Sequence, residues 1–467
     1  MATNHNPGRT GRREFLFQSA AAGGSFAVAG VLSAFLKNTA LGAARATAGF
    51  GPIKPTVDEA TGLELLQLPA GFCYRSFGWN GETMADGART PPAHDGMAVI
   101  AESDGVLTLC RNHEVGRSGR NEADPAITYD GKAMGGCTNL RFDGKAGTWI
   151  DARRSLAGTV RNCAGGPTPW GSWLSCEETV LGAGDEEAGL PVEFEQDHGF
   201  IFEVPADGLS EAVPLKEMGR FVHEAVAVDP ETGFVYETED RGSAGFYRFQ
   251  SKEKGDLRSG GRLQMLAAKG AADLRRGIRV GNSYDVSWVD IEDPLRPHSP
   301  GTTDEHGVFE QGKQGGGSTF ARLEGCWWGA GGAHIVSTSG GNAKKGQVWF
   351  YEPKEERLTL LFESPGAAVL DKPDNITVSP RGGIVLCEDG DAFPQRLHGL
   401  TRSGQLFPLA ANNIQLTGAG HAGFTGDFRG QEWCGATFSP DGQWLFVNIQ
   451  TPGVTFAITG PWGDGGI

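Results

Sequence analysis

Acidic residues recur in seven short stretches of this chain. They are Arg111-Asn-His-Glu114, Ser175-Cys-Glu-Glu178, His223-Glu224, Glu237-Thr-Glu-Asp-Arg241, Leu323-Glu-Gly325, Pro373-Asp-Asn375 and Cys387-Glu-Asp-Gly390. A single carboxylate at a strand end is most often a turn cap or a solvated group, and His113 and His223 read first as structural histidines. Carboxylates converging in quantity repel and desolvate one another unless cations neutralise them. Oxygen-rich sites suit hard cations such as Ca²⁺, whereas a thiolate among them is a softer donor that points to a transition metal. Cys176, followed at once by Glu177 and Glu178, is the cysteine the sequence puts forward for that role.

Stretches so far apart can meet only in a fold that gathers strand ends. From about residue 95 the chain falls into short aromatic or β-branched runs bounded by turn residues, such as Gly199-Phe-Ile-Phe-Glu-Val204 and Gln443-Trp-Leu-Phe-Val-Asn448, the signature of strands. Val228-Asp-Pro-Glu-Thr-Gly-Phe-Val-Tyr236 and Phe438-Ser-Pro-Asp-Gly-Gln-Trp-Leu-Phe446 share one strand–turn–strand plan. Such hairpins repeated along a chain predict an all-β propeller, here of six blades, because radial repetition protects sheet edges. Glycine, 72 of 467 residues, is about twice as frequent as usual and fits many tight turns. Residues 251–315, charged and glycine-rich, read as a strand-loop insertion over one blade. Gly329-Ala-Gly-Gly332 precedes a strand and lacks the helix of a phosphate loop, so it reads as a turn.

The first 48 residues read as an export signal and the remainder, 49–467, as a single domain. Arg12-Arg13 followed by Glu14-Phe15-Leu16, a mildly apolar stretch from Ser19 to Leu36 and a terminal Ala46-Thr47-Ala48 have the layout of a cleavable twin-arginine signal. An uncleaved anchor is the competing reading. The expected location is therefore periplasmic or secreted, with the twin-arginine machinery as a partner and no stable membrane span after cleavage. The net charge of −16 becomes more negative when Arg9, Arg12, Arg13, Lys37 and Arg45 leave with only Glu14, which argues against nucleic-acid binding through a basic face. Eight cysteines are scattered without spacing that fixes any pairing.

With these stretches laid out, the chain resembles the PhoX family of bacterial secreted alkaline phosphatases. Gly135-Gly-Cys-Thr-Asn139, Trp173-Leu-Ser-Cys-Glu-Glu178, Gly219-Arg-Phe-Val-His-Glu224, Arg322-Leu-Glu-Gly325, Pro373-Asp-Asn375 and Phe438-Ser-Pro-Asp-Gly-Gln-Trp-Leu-Phe-Val-Asn-Ile-Gln450 carry the resemblance. It implies a propeller monoesterase active at alkaline pH on small phosphate esters, monomeric, with ferric and calcium ions joined in one cluster. On that pattern Cys176 ligates iron, Glu224 and Glu324 supply carboxylates, and Glu177, Asp240, Asp374 and Glu388 are further metal ligands. Asn139 and Arg322 look like the catalytic positions that hold phosphate oxygens, arginine because its planar fork matches phosphate. Two rival readings stay open: a Ca²⁺-dependent propeller lactonase or phosphotriesterase, and a non-enzymatic binding propeller. The first leaves Cys176 without a role.

Overall fold

The computed structural model describes residues 48–298 and 307–467. The export signal expected over 1–48 lies outside them except for Ala48. No helix among the described residues is long and apolar enough to cross a membrane.

Six antiparallel sheets follow one another around an axis. The first blade is built from His94–Ser103, Val106–His113, Gly135–Asp143 and Thr148–Thr159, and the second from Asn162–Pro167, Ser172–Glu177 and Ile201–Pro205. His223–Val228, Val235–Glu239, Phe246–Glu253 and Asp256–Ala268 form the third. The fourth comprises Leu323–Gly329, Gly332–Ser337, Gln347–Glu352 and Arg357–Glu363. Pro373–Val378, Ile384–Glu388, Arg396–Leu400 and Leu406–Asn412 make the fifth, extended outward by Leu66–Pro69 and Ile53–Thr56. In the sixth, Trp433–Phe438, Trp444–Ile449 and Val454–Thr459 are completed by Cys73–Phe77 from the other end of the chain.

Each innermost strand packs against those of the blades before and after it, and the sixth returns to the first, so the ring is closed. That pairing of N-terminal with C-terminal segments removes the seam that would otherwise expose two sheet edges. The expected six-bladed propeller is the observed architecture.

The turns follow from the residues noted in the sequence. Asp229 accepts from the Glu231 amide and the Thr232 hydroxyl, and Gly233 takes the left-handed φ of +76° that closes the hairpin. Asp441 and Gly442 (φ +71°) repeat the device in the sixth blade, as such turns require. Apolar side chains fill the spaces between blades. Trp433, Leu445, Val447 and Phe456 meet Tyr74 and Leu397, for example, in one buried cluster.

The inserted segment is shorter than the sequence suggests. Residues 251–268 belong to the outer strands of the third blade, because Leu263 and Met265 face a buried cluster with Phe249. Beyond Ala268 the insertion contributes a strand, Ser283–Asp290, that bridges the outer edges of the third and fourth blades into a nine-stranded sheet. It also carries a short helix, Val308–Gln314.

Candidate metal centre

Every innermost strand has one extra residue at the same level. The register shifts lie between His94 and Met97, Asn162 and Gly165, His223 and Val226, Leu323 and Cys326, Pro373 and Ile376, and Cys434 and Thr437. A bulge breaks the in–out alternation of a strand and re-aims a side chain. The residue just inside each shift is Asp95, Cys163, Glu224, Glu324, Asp374 or Gly435. The backbones are pressed together there: a Cβ on Gly96 would lie 2.5 Å from Ala164 Cα, and one on Gly325 2.7 Å from the Asp374 carbonyl oxygen. Small residues beside the bulge therefore let the polar side chains converge.

Ligand-capable atoms of Glu224, Glu324 and Asp374 lie within 4.8 Å of one another. So do those of Cys163, Glu178 and Glu224, those of Asp95, Glu114 and Cys163, and those of Asp95, Glu432 and Cys434. The shared members chain these groups around the axis. A second tier comes from the residue immediately after the second strand in four of the six blades: Glu114, Glu178, Asp240 and Asp389 follow His113, Glu177, Glu239 and Glu388.

Burial dominates the electrostatics. It pushes the Glu224, Glu324, Glu178, Asp95 and Glu432 carboxyls well above the usual range, and neighbouring carboxylates push them further. Glu114 is raised to about 7 and Asp374 to about 6, again chiefly by burial. The Cys163 thiol, with Sγ 3.9 Å from Asp95 Oδ2, is raised by burial and then by Asp95 and Glu224. Both carboxylate oxygens of fully buried Glu224, and one of Asp95, have no hydrogen-bond partner. An uncompensated buried carboxylate costs several kcal/mol, roughly. Acidic oxygens oriented at one another with unsatisfied lone pairs are what a bound cation stabilises, so these residues fit metal ions.

Arg322 is a cation that the chain itself supplies to these acids. Its Nε and Nη2 donate to Asp240 at 2.9 and 2.8 Å, and Nη2 lies 2.5 Å from Glu324. These carboxylates outweigh burial and hold the guanidinium above its ordinary pKa. The residue adopts a left-handed φ of +48°, a strained conformation of the kind that clusters at functional sites.

Of the metal residues expected from sequence, Glu224, Glu324 and Asp374 come together, and Asp240 joins them through Arg322. Glu177 does not. One of its oxygens accepts from the Val160 amide and pairs with His198 at 2.7 Å, and the other accepts from the Gly199 and Phe200 amides. Glu388 is similarly used up by Arg396, His398 and the Asp371 amide. These partners hold it below its ordinary pKa although burial opposes them. Each carboxylate braces its own blade, the second and the fifth, behind the mouth formed by the converging acids.

Cys176 is not brought to these groups. It lies in an apolar cluster with Leu174, Ile201 and Val226 and belongs to none of the ligand groups among the described residues. The thiol that enters the acidic ring is Cys163. Asn139 stands on the third strand of the first blade, two strands out from the axis, and its amide donates to the Pro205 carbonyl at 3.1 Å. It is not brought to Arg322.

Sequence reasoning missed Asp95, Cys163 and Glu432, and left Glu114, Glu178 and Asp389 without roles. The usable signal was Asn162-Cys-Ala-Gly-Gly166, an apolar-small run too small in side chain for a packed core strand. Asn112 supports this segment: its Nδ2 donates to the Cys163 and Ala164 carbonyls, while its Oδ1 accepts from Trp173 and Ser175. The tryptophan beside the Cys-Glu-Glu stretch thus orients the residue that holds Cys163.

A closed six-bladed propeller with inner strands bulged to bring buried acids and a thiol together is a scaffold suited to multi-cation chemistry. The chain belongs to the PhoX alkaline phosphatase family, whose model matches residues 48–157 and 151–453. No curated protein matches the sequence significantly. Solved structures of similar shape include a gluconolactonase from Xanthomonas campestris, 12% identical, covering 90% of this chain and 99% of its own, with a TM-score of 0.39. The WD40 propeller domain of Doa1 is 10% identical with coverages of 85% and 99% and a TM-score of 0.39. A protein of unknown function from Dyadobacter fermentans is 10% identical with coverages of 83% and 99% and a TM-score of 0.45. The propeller is defined by its closed ring of sheets; these low-scoring likenesses add nothing to it.

Proposed function

We propose that this phosphatase-family protein hydrolyses phosphate monoesters at alkaline pH at the acidic mouth, using iron and calcium held by the bulged inner strands. The supporting observation is the convergence of Glu224, Glu324 and Asp374, with both oxygens of buried Glu224 unpartnered. Asp95, Glu114, Glu178 and Glu432 would add oxygen donors, and Cys163 would be the soft ligand that selects iron. Bound there, the metals would supply Lewis acidity toward the phosphoryl group.

The chain's own residues do the rest. Arg322 is held by Asp240 and Glu324 through Nε and Nη2, which leaves Nη1 to donate to a phosphoryl oxygen. Its partly exposed side chain can meet substrate, while its anchored geometry costs little reorganisation as charge develops. Glu177 and Glu388, each bonded to a histidine, fix the second strands from which Glu178 and Asp389 project. Asn112 orients the Cys163 segment in the same way.

Gly11-Arg-Arg-Glu-Phe-Leu16 supports twin-arginine export to the periplasm or beyond. The decisive test combines metal analysis of the purified protein, its visible spectrum and its hydrolysis of 4-nitrophenyl phosphate across pH. Iron and calcium, a ferric–thiolate absorption band and turnover rising toward alkaline pH are expected. A colourless, iron-free protein without turnover overturns the proposal.

A further inference from the structure

A cavity of about 600 Å³ opens beside the first blade, and its charge is opposite to that of the mouth. Arg89, Arg117, Arg120 and Arg154 line it, and Glu122 is the one carboxylate among the described lining residues. None of the four arginines is ion-paired to a carboxylate among the described residues. Arg89 instead donates to the Gly81 carbonyl and the Thr83 hydroxyl. In a chain of net charge −16, four guanidinium groups against one acid around a single cavity make a local positive field. Unpaired guanidinium forks match phosphoryl oxygens bidentately.

The cavity's place in the chain ties it to the metal centre. Pro92 lines it and lies three residues before Asp95; Val115 lines it and directly follows Glu114. The segments entering and leaving the first hairpin thus each carry one acidic member of the mouth and one wall of the cavity. At about 3.8 Å between successive Cα atoms, the cavity begins roughly 4 to 11 Å along the chain from those acids. A volume of this size accommodates a small organic group with an anionic end.

We propose that this cavity is an anion subsite for the leaving-group side of the substrate, selecting esters that carry a second phosphoryl group. This rests on the reading of the mouth as a phosphatase site. One phosphoryl group sits at the metal centre, and the second is held by Arg117 and Arg120 with Arg89 and Arg154 behind them. The basic cavity also draws polyanions to an acidic molecule that would otherwise repel them.

The test compares metal-loaded wild type with the Arg117→Gln/Arg120→Gln double variant, whose altered side chains are exposed and whose fold is unburdened. Fluorescence anisotropy with pyrenetetrasulfonate, a polyanion with no ester to cleave, reads the subsite directly. Hydrolysis of 4-nitrophenyl phosphate and of propane-1,3-diol bisphosphate reads its use. The double variant is expected to bind the probe at least tenfold more weakly. Its kcat/KM should fall at least tenfold for the bisphosphate and less than twofold for 4-nitrophenyl phosphate. Equal probe binding by both proteins, or equal losses on both esters, overturns the subsite. If neither protein cleaves 4-nitrophenyl phosphate, the phosphatase reading falls, and the anisotropy alone decides whether the anion subsite exists.

Discussion

Cys163 and Glu224 hold the same place on successive blades, each just inside the bulge of an innermost strand, and their side chains meet with Glu178 within 4.8 Å. The repeat of the fold, one bulge per blade, is therefore also the repeat of the site. Residues separated by whole blades in sequence become neighbours because each is the extra residue at one level of the ring.

Exchanging the two cysteines' expected roles gives the first prediction. Cys163→Ser should lose iron, the visible band and at least a hundredfold in turnover, while remaining folded. Cys176→Ala should keep metal and activity and cost about 1 kcal/mol of stability for the truncated core contact. Metal analysis and thermal melting of both variants check it; loss of iron from Cys176→Ala alone would restore that residue as the ligand.

Glu224 gives a prediction whose sign depends on metal. In chelator-treated protein, Glu224→Gln removes a buried acid that burial and Asp374 already disfavour in its charged form. The metal-free variant should then be about 1–3 kcal/mol more stable than metal-free wild type. With metals bound the order should reverse, because only the wild type gains from coordination. Denaturant unfolding with and without chelator reads both halves, and a variant less stable in each condition contradicts the argument.

Arg322→Lys tests bidentate anchoring. Lysine keeps the charge but cannot reach Asp240 with two fixed donors while offering a third to substrate. Turnover should fall about a hundredfold, with the metal content unchanged. Asn139→Ala, on a strand away from Arg322, should leave kcat/KM within about twofold and act on stability through the lost bond to Pro205. A large kinetic loss at Asn139 with little change at Arg322 would invert the assignment.

Much of the fold was legible because turn chemistry is local. Asp229 with Gly233, and Asp441 with Gly442, announce their hairpins in the residues that form them. Ring closure was not: Cys73–Phe77 pairs with Val454–Thr459 across nearly the whole chain, and no local signal marks that partner. The site divided along the same line. Glu224, Glu324 and Asp374 stood out as acids beside small or polar residues, whereas choosing between Cys163 and Cys176 needed the bulge. In regular alternation a cysteine between Leu174 and Glu177 faces the core, and its acidic neighbours in sequence say nothing of its neighbours in space. Glu177 and Glu388 were hard to read for a related reason: a buried carboxylate bonded to histidine and amides has the same local sequence as a ligand.

The Glu177–His198–Asp130 triad behind the second blade sets a limit on alkaline stability. Burial alone would lower the His198 pKa, but Glu177 and Asp130 outweigh it and raise the value from 6.5 to about 9. The His198 ring contacts Glu177 at 2.7 Å and Asp130 at 3.3 Å, with all three side chains buried. Because the folded pKa exceeds the unfolded one, the protonated form contributes its full stabilisation below about pH 6.5, and that contribution is lost as pH rises through about 9. The contribution is on the order of a few kcal/mol. Wild type should therefore melt progressively lower between neutral pH and about pH 10, with a steeper decline than His198→Gln, which has no proton to lose. NMR titration of the His198 ring should place its midpoint near 9; a midpoint at the ordinary histidine value, or parallel melting curves for the two proteins, would show that the two carboxylates do not hold the proton. The brace that supports Glu178 would then loosen in the same alkaline range where the proposed phosphatase works, so the pH at which activity stops rising should fall close to the pH at which the fold begins to lose this contribution.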